Sequence, residues 1–179
     1  MRVSIIPFGR VEASILVSIG ESLSSVFPRM SYNILEERIP IPEGAYNPSR
    51  RQYHSGVILM KILEAARAMK VDRALGVLDV DLYAPNMNFI FGEAQCPGSA
   101  ALISLYRLRP EFYGLPPDVR LLEERAVKEA IHEVGHTLGL GHCRNSRCVM
   151  AFSLHIGMTD RKYPRFCEVC RSEVERRIR

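Results

Sequence analysis

Residues 132–142 read HEVGHTLGLGH. In helical conformation His132 and His136 are four positions apart and share one face, with their Cβ atoms about 6 Å apart. That separation suits two imidazoles on one zinc ion, each at about 2.0–2.1 Å. Glu133 is one step round the helix, beside such a metal and not on it, where a carboxylate can hold a water. Gly139 tolerates the left-handed conformation that ends a helix and turns the chain. His142, three residues further, then swings back to the same point. Two surface histidines on a helix would explain HExxH alone, but not the further G-x-x-H. Three protein ligands with a fourth position open is the arrangement of catalytic zinc, whereas structural sites are closed by four.

Four of the five cysteines follow directly. Cys143, Cys148, Cys167 and Cys170 are spaced C-x4-C-x18-C-x2-C, two close pairs at a distance. Each pair can bite one edge of a tetrahedral four-thiolate zinc site. Two disulfides are the alternative, which a reducing compartment and the tight x2 spacing disfavour. A redox CxxC fits less well, because no thioredoxin-like strand precedes it. The reading is therefore two zinc ions per chain, one held by histidines and one by cysteines.

Outward from this region, 179 residues is the length of one ordinary domain that needs no staple to stay folded. Hydrophobic residues at 47% and charged residues at 25% place the chain among globular proteins. No stretch approaches the roughly 20 apolar residues of a membrane span, and the apolar run near the start is too short for a signal peptide. A cytoplasmic protein without membrane association is expected. The net charge of +4 is mild, and the C-terminal RSEVERRIR alternates with glutamates, as a solvated helix face does. No basic stripe with aromatics points to nucleic acid. Nothing demands more than a monomer.

Pattern and punctuation predict strand 2–8, helix 11–27 with Ile15, Leu16, Ile19, Leu23 and Val26 on one face, and strand 31–39. Loop 40–53, helix 55–70 with Ser55 as its N-cap, and strand 73–83 follow. Strands at 86–94, with Gly92 as a bulge, and at 98–108 come next. After a loop over 110–118, a long helix opens near Pro117 and Asp118 and closes at Gly139. An irregular stretch runs to about Pro164, then a short C-terminal helix. Strand–helix alternation implies an α/β fold with a mostly parallel twisted sheet of about five strands. Residues 1–117 would be the scaffold of the single domain and 118–179 its chemical part.

HEVGHTLGLGH resembles the zinc signature of the metzincins. With the cysteine pattern it is similar to the archaemetzincins, a metzincin subgroup with a second, closed zinc site. The matching residues are His132, Glu133, His136, Gly139, His142, Cys143, Cys148, Met150, Cys167 and Cys170. The motif region covers roughly the last fifth to quarter of the chain. The resemblance implies a zinc metallopeptidase acting on peptides or proteins, with Glu133 as general base and acid. It implies Met150 in a tight turn beneath the histidines. The second zinc would then shape the substrate wall and hold Met150 in place. It also implies that the strand around NFIFGE is a sheet edge bordering the cleft. Where some metzincins carry a metal-proximal tyrosine two residues past the methionine, this chain has Phe152, which lacks the hydroxyl.

A zinc-stabilised binding protein on the same scaffold is the alternative, disfavoured because it would need neither Glu133 nor an open coordination position. Loops 40–54 and 105–117 are expected to shape the cleft walls. Cys96 is read as a lone buried thiol, and His54 and His155 as solvated or hydrogen-bonded histidines. Tyr106 and Tyr113 are expected to pack over the sheet.

Overall fold

The computed structural model describes residues 1–178. Its centre is a five-stranded sheet in which residues 31–34, 2–8, 73–78, 100–104 and 92–94 lie side by side in that order. Strands β1 (Arg2–Phe8), β2 (Ser31–Ile34), β5 (Arg73–Leu78) and β8 (Ala100–Ser104) run parallel; only the edge strand β7 (Gly92–Ala94) is antiparallel. Strand β1 is β-branched and buried on both faces, as a central parallel strand should be. Its side chains alternate between two cores. Val3 and Ile5 pack with α1 (Ala13–Val26) and α3 (Val119–Thr137), whereas Ile6 and Phe8 pack with α2 (Ser55–Met69). The sheet is therefore covered by helices on both faces, and a mostly parallel α/β fold follows.

On α1 the predicted face is inside, with Ile15, Leu16, Ile19 and Leu23 buried and Val26 half-buried. Several boundaries differ. The 31–39 strand stops at Ile34, although Ile39 makes one isolated bridge to Phe8. The 73–83 strand breaks after Leu78. Residues 82–83 form β6 and join β3 (Tyr46–Asn47) and β4 (Gln52–His54) in a second, small sheet. Loop 40–53 is therefore partly ordered as strand. Ser55 does not cap α2: its hydroxyl donates to Tyr83 O at 3.0 Å, and His54 occupies the cap position. Gly92 is not a bulge but sits in regular register opposite Ile103.

Helix α3 begins as expected, with Asp118 accepting from the Leu121 amide at 3.0 Å. From Ala126 through Gly135 every residue is buried, charged ones included. Arg125 forks both carboxylate oxygens of Asp160, at 2.7 and 2.8 Å, and Lys128 donates to Asp160 O. These bonds fix α3 against α4 (Ile156–Arg161), a short helix in the stretch expected to be irregular. The C-terminal helix α5 (Glu168–Arg177) is more than a solvated face. Val174 and Cys170 are buried, and Arg177 donates to Leu138 O at 2.8 Å, capping the end of α3. Among the described residues no helix is long and apolar enough to cross a membrane.

Candidate active site and metal centres

The last two turns of α3 present His132, Glu133 and His136 to a cleft of about 730 Å³. Each of the two helical imidazoles is oriented by a main-chain carbonyl. His132 Nδ1 lies 2.8 Å from Val149 O and His136 Nδ1 lies 2.7 Å from Leu140 O. A carbonyl only accepts, so the Nδ1 atoms carry the protons and the Nε2 lone pairs are free. The two Nε2 atoms lie 3.0 Å apart, close enough for one metal ion to take both lone pairs. Gly139, at φ +87°, turns the chain out of α3, and the His142 ring comes to rest stacked on His132. One nitrogen from each of the three histidines lies within 4.8 Å of the other two. Three neutral imidazoles converging with one side open to a cleft fit zinc.

Burial is the leading reason that all three imidazoles are held below their ordinary pKa, His132 furthest. The neutral form is the one that binds metal. Glu133 is pushed well above the ordinary carboxylate range, first by burial and then by Glu129 and Glu93; Lys162 opposes the shift. A carboxylate with a raised pKa is a stronger proton acceptor near neutrality.

Two glycines make the room. A Cβ at Gly92 would lie 2.7 Å from Glu133 Cγ and 2.7 Å from Leu102 O. Gly92 therefore lets the edge strand pass against the glutamate. A Cβ at Gly135 would lie 2.6 Å from Met150 Sδ. The Met150 thioether is thus seated on the bare backbone of α3, between the levels of His132 and His136. The Met150 carbonyl accepts from the Cys143 amide at 2.9 Å, which ties the residue after His142 to the methionine turn.

Cys143, Cys148, Cys167 and Cys170 also converge, with their Sγ atoms within 4.8 Å of one another. No disulfide joins them. Cys143 Sγ and Cys167 Sγ are 3.7 Å apart, close to the roughly 3.8 Å edge of a tetrahedron with 2.3 Å zinc–sulfur bonds. Amides support the sulfurs: Cys167 N donates to Cys148 Sγ at 3.3 Å and Asn145 N to Cys143 Sγ at 3.4 Å. Burial raises the Cys148 and Cys170 thiols. It pushes the same way on Cys167, but hydrogen bonds from the Cys170 amide and the neighbouring thiols bring that group below its ordinary value.

The cleft has three sides. Residues 86–94, ending in the free edge of β7, form one wall; Phe152, Ser153 and Leu154 form the other; α3 is the floor. The edge at NFIFGE is where the resemblance put it. Loops 40–54 and 105–117 line none of it themselves but stand behind its 86–94 wall: Arg50 donates to Met87 O and Asn88 O, and the Arg107 guanidinium lies 4.3 Å from the Phe89 ring centroid. Phe152 packs its ring 4.8 Å from His142. His155 is exposed and outside the cleft lining. His54 meets Tyr83 edge-on. Cys96 is exposed at the cleft rim, not buried, with its Sγ 3.6 Å from Leu140 O. Tyr106 and Tyr113 are also exposed, joined through Phe112 in an aromatic cluster instead of packing on the sheet.

The residues that sequence reasoning missed are Glu129 and Lys162. Lys162 Nζ donates to Glu129 Oε1 at 3.1 Å and to Ala151 O at 3.3 Å, with both side chains almost fully enclosed. Glu129 is one helical turn before Glu133, a spacing visible in the sequence; its buried partner is not.

Comparison with known proteins agrees with this geometry. The family model described as Peptidase family M54 matches residues 3–176. An archaemetzincin of Methanocaldococcus jannaschii is 48% identical over 177 residues, spanning 99% of this chain and 94% of the relative. The crystal structure of the Methanopyrus kandleri archaemetzincin superposes with a TM-score of 0.87 at 40% identity, covering 99% of this chain and 95% of that one. That of a zinc-dependent peptidase from Methanocorpusculum labreanum superposes at 0.88 with 31% identity, covering 96% and 99%. The chain belongs to peptidase family M54, the archaemetzincins, and is a zinc metallopeptidase.

Proposed function

We propose that the chain hydrolyses peptide bonds at a zinc ion held by His132, His136 and His142, with Glu133 as the general base and acid. The observation that carries this reading is the convergence of three neutral imidazole nitrogens on a point open to the cleft, with the Glu133 carboxylate beside it. When bound, zinc supplies a Lewis acid that polarises a carbonyl and lowers the pKa of its water towards about 7. The protein does the rest. Glu133 takes a proton from the attacking water and hands it to the leaving nitrogen. Val149 O and Leu140 O hold His132 and His136 in the ligating tautomer. The substrate pairs by its main chain with the free edge of β7, which among the described residues has no strand on that side. Phe152 offers no hydroxyl, so no oxyanion donor comes from that position.

A second zinc is held by Cys143, Cys148, Cys167 and Cys170. It closes the 143–166 segment and, through the Cys143 amide on Met150 O, fixes the methionine turn beneath the histidines. Gly139 and Met150 support the site without touching substrate. Residues 1–117 are then scaffold and residues 118–179 the chemical part of one domain, acting as a monomer in the cytoplasm on peptides or proteins.

The test is a mixed-peptide digest read by mass spectrometry, with zinc-loaded wild type beside Glu133→Ala. Cleavage by the wild type alone is expected, and the cut positions separate trimming of amino termini from internal cleavage. Equal cleavage by both proteins removes Glu133 from its role.

A further inference from the structure

We infer that Glu129 is a specificity-determining residue, and that the subsite it floors takes a neutral carboxamide side chain, that of glutamine above all, on the residue just after the cleaved bond. The inference rests on the peptidase reading given above. Glu133 hands its proton to the leaving nitrogen, so the residue that carries this nitrogen passes beside Glu133. From there the cleft continues along α3 to Glu129, four residues or about 6 Å back along the helix.

Glu129 lines the cleft yet is only 3% exposed. Thr159 Oγ1 and Lys162 Nζ both donate to its Oε1, each at 3.1 Å. Among the described residues Oε2 has no protein donor, which leaves it to the cavity. An apolar side chain seated there would cover a carboxylate oxygen without giving it a hydrogen bond. At Glu129 itself the buried Lys162 ammonium already supplies the positive charge, so a cationic side chain reaching that oxygen would meet a second one, while Glu93 and Glu133 are the further carboxyl groups of the cleft. A neutral N–H donor satisfies both conditions.

The second observation is Ser153. Its Oγ is sealed from solvent in the opposite wall and has no hydrogen-bond partner. Ser153 lines the cleft, and its unpartnered hydroxyl is the donor this wall would offer a ligand once the side chain rotates. An acceptor at Glu129 and a donor at Ser153 together complement a carboxamide, whose NH2 donates while its oxygen accepts. Phe91, Phe152 and Leu154 give the methylenes of glutamine an apolar passage.

The experiment titrates a series of otherwise identical peptide hydroxamates onto the zinc-loaded full-length protein by calorimetry. Their first side chain is that of glutamine, methionine, glutamate or lysine. The glutamine compound should bind at least about 10-fold more tightly than its near-isostere methionine. That ratio should fall to near one in Glu129→Leu/Lys162→Met, which removes both buried charges together. Ser153→Ala should lower it about threefold. Equal or tighter binding of methionine, or tightest binding of lysine, overturns the subsite and leaves the metal site standing. An unchanged glutamine preference in the double variant overturns the part given to Glu129. Should that variant lose its helical circular dichroism, the wild-type ratio and Ser153→Ala decide. Binding of no hydroxamate overturns the peptidase reading and this inference together.

Discussion

Two clusters of side chains that could each hold a metal ion meet at one peptide bond, between His142 and Cys143. They are built in opposite ways. The imidazole cluster stands on a rigid element: two of its members are on a buried helix, each with its second nitrogen anchored to a carbonyl, and only His142 comes from outside. It opens onto a cleft. The thiol cluster has its sulfurs on loop ends and on the start of α5, and four protein groups close it. The helix would hold its histidines in place without metal, whereas the four thiols are gathered from the two ends of the 143–166 segment, whose middle is tied to α3 through Asp160 and Lys162. The difference separates a site preorganised for chemistry from one in which metal and fold depend on each other.

The largest effect expected is on chemistry alone. Glu133→Gln should lower kcat by about 10²–10⁴-fold. Zinc content and melting temperature should be close to wild type, because Gln keeps the shape and sheds an unfavourably buried charge. Peptide hydrolysis assayed beside metal analysis checks it. Retained activity would break the assignment of the open site.

Cys170→Ser should do the reverse, acting on the fold first. Removing a buried thiolate from a closed metal site belongs to the losses of about 4 kcal/mol or more, or roughly 8–16 °C for a domain of this length. His142→Ala, which removes an exposed ligand, should cost a small fraction of that while abolishing hydrolysis. Equal melting temperatures for the two variants would erase the contrast between the clusters.

Gly92→Ala probes the space around Glu133. The added methyl meets Glu133 and the Leu102 carbonyl at distances that real Cβ atoms do not show, so something must shift. A cost of about 1–3 kcal/mol is expected. Since the Glu133 side chain gives way more readily than backbone, more of it should appear in kcat than in melting temperature. The kinetic and thermal measurements together decide.

The histidine and cysteine region was far more legible in the sequence than its surroundings, and the reason is local spacing. His132, Glu133, His136, Gly139 and His142 lie within three turns of chain, where helix geometry alone dictates what can meet. The four cysteines make two short-range pairs. The parallel sheet could be read because β1 and β5 are continuous apolar runs. What escaped depends on long-range placement. Residues 82–83 leave the main sheet because their partners in β4 lie about 30 positions earlier. Cys96 looked like a buried thiol, but it is brought to the cleft rim by a contact with Leu140, 44 residues away. Loops 40–54 and 105–117, expected as cleft walls, stand behind the 86–94 wall instead, through contacts of Arg50 and Arg107 that local spacing does not reveal. Gly135 carries no signal of its own until Met150 is seated against it.

The last test separates the clusters by protons. Metal competes with protons for each ligand, so apparent affinity falls with pH by one power of ten per unit for every proton a ligand must release. Burial holds His132, His136 and His142 below their ordinary value of about 6.5. Between pH 6.5 and 8 these nitrogens are already free, and zinc affinity there should be nearly flat. Below pH 6.5 the unfolded chain takes up protons before the folded one, so the metal-free protein should lose stability as pH falls through that window. The thiols behave differently. Cys148 and Cys170 are raised above their ordinary value and still hold their protons at pH 8. Zinc entering that cluster must displace at least two protons, and its affinity should fall about 100-fold per pH unit across the range in which the imidazole site is level. Competition against a chromophoric chelator at several pH values measures both slopes in one protein. Parallel slopes would mean that the two clusters share their protonation, and the contrast drawn from burial would fail.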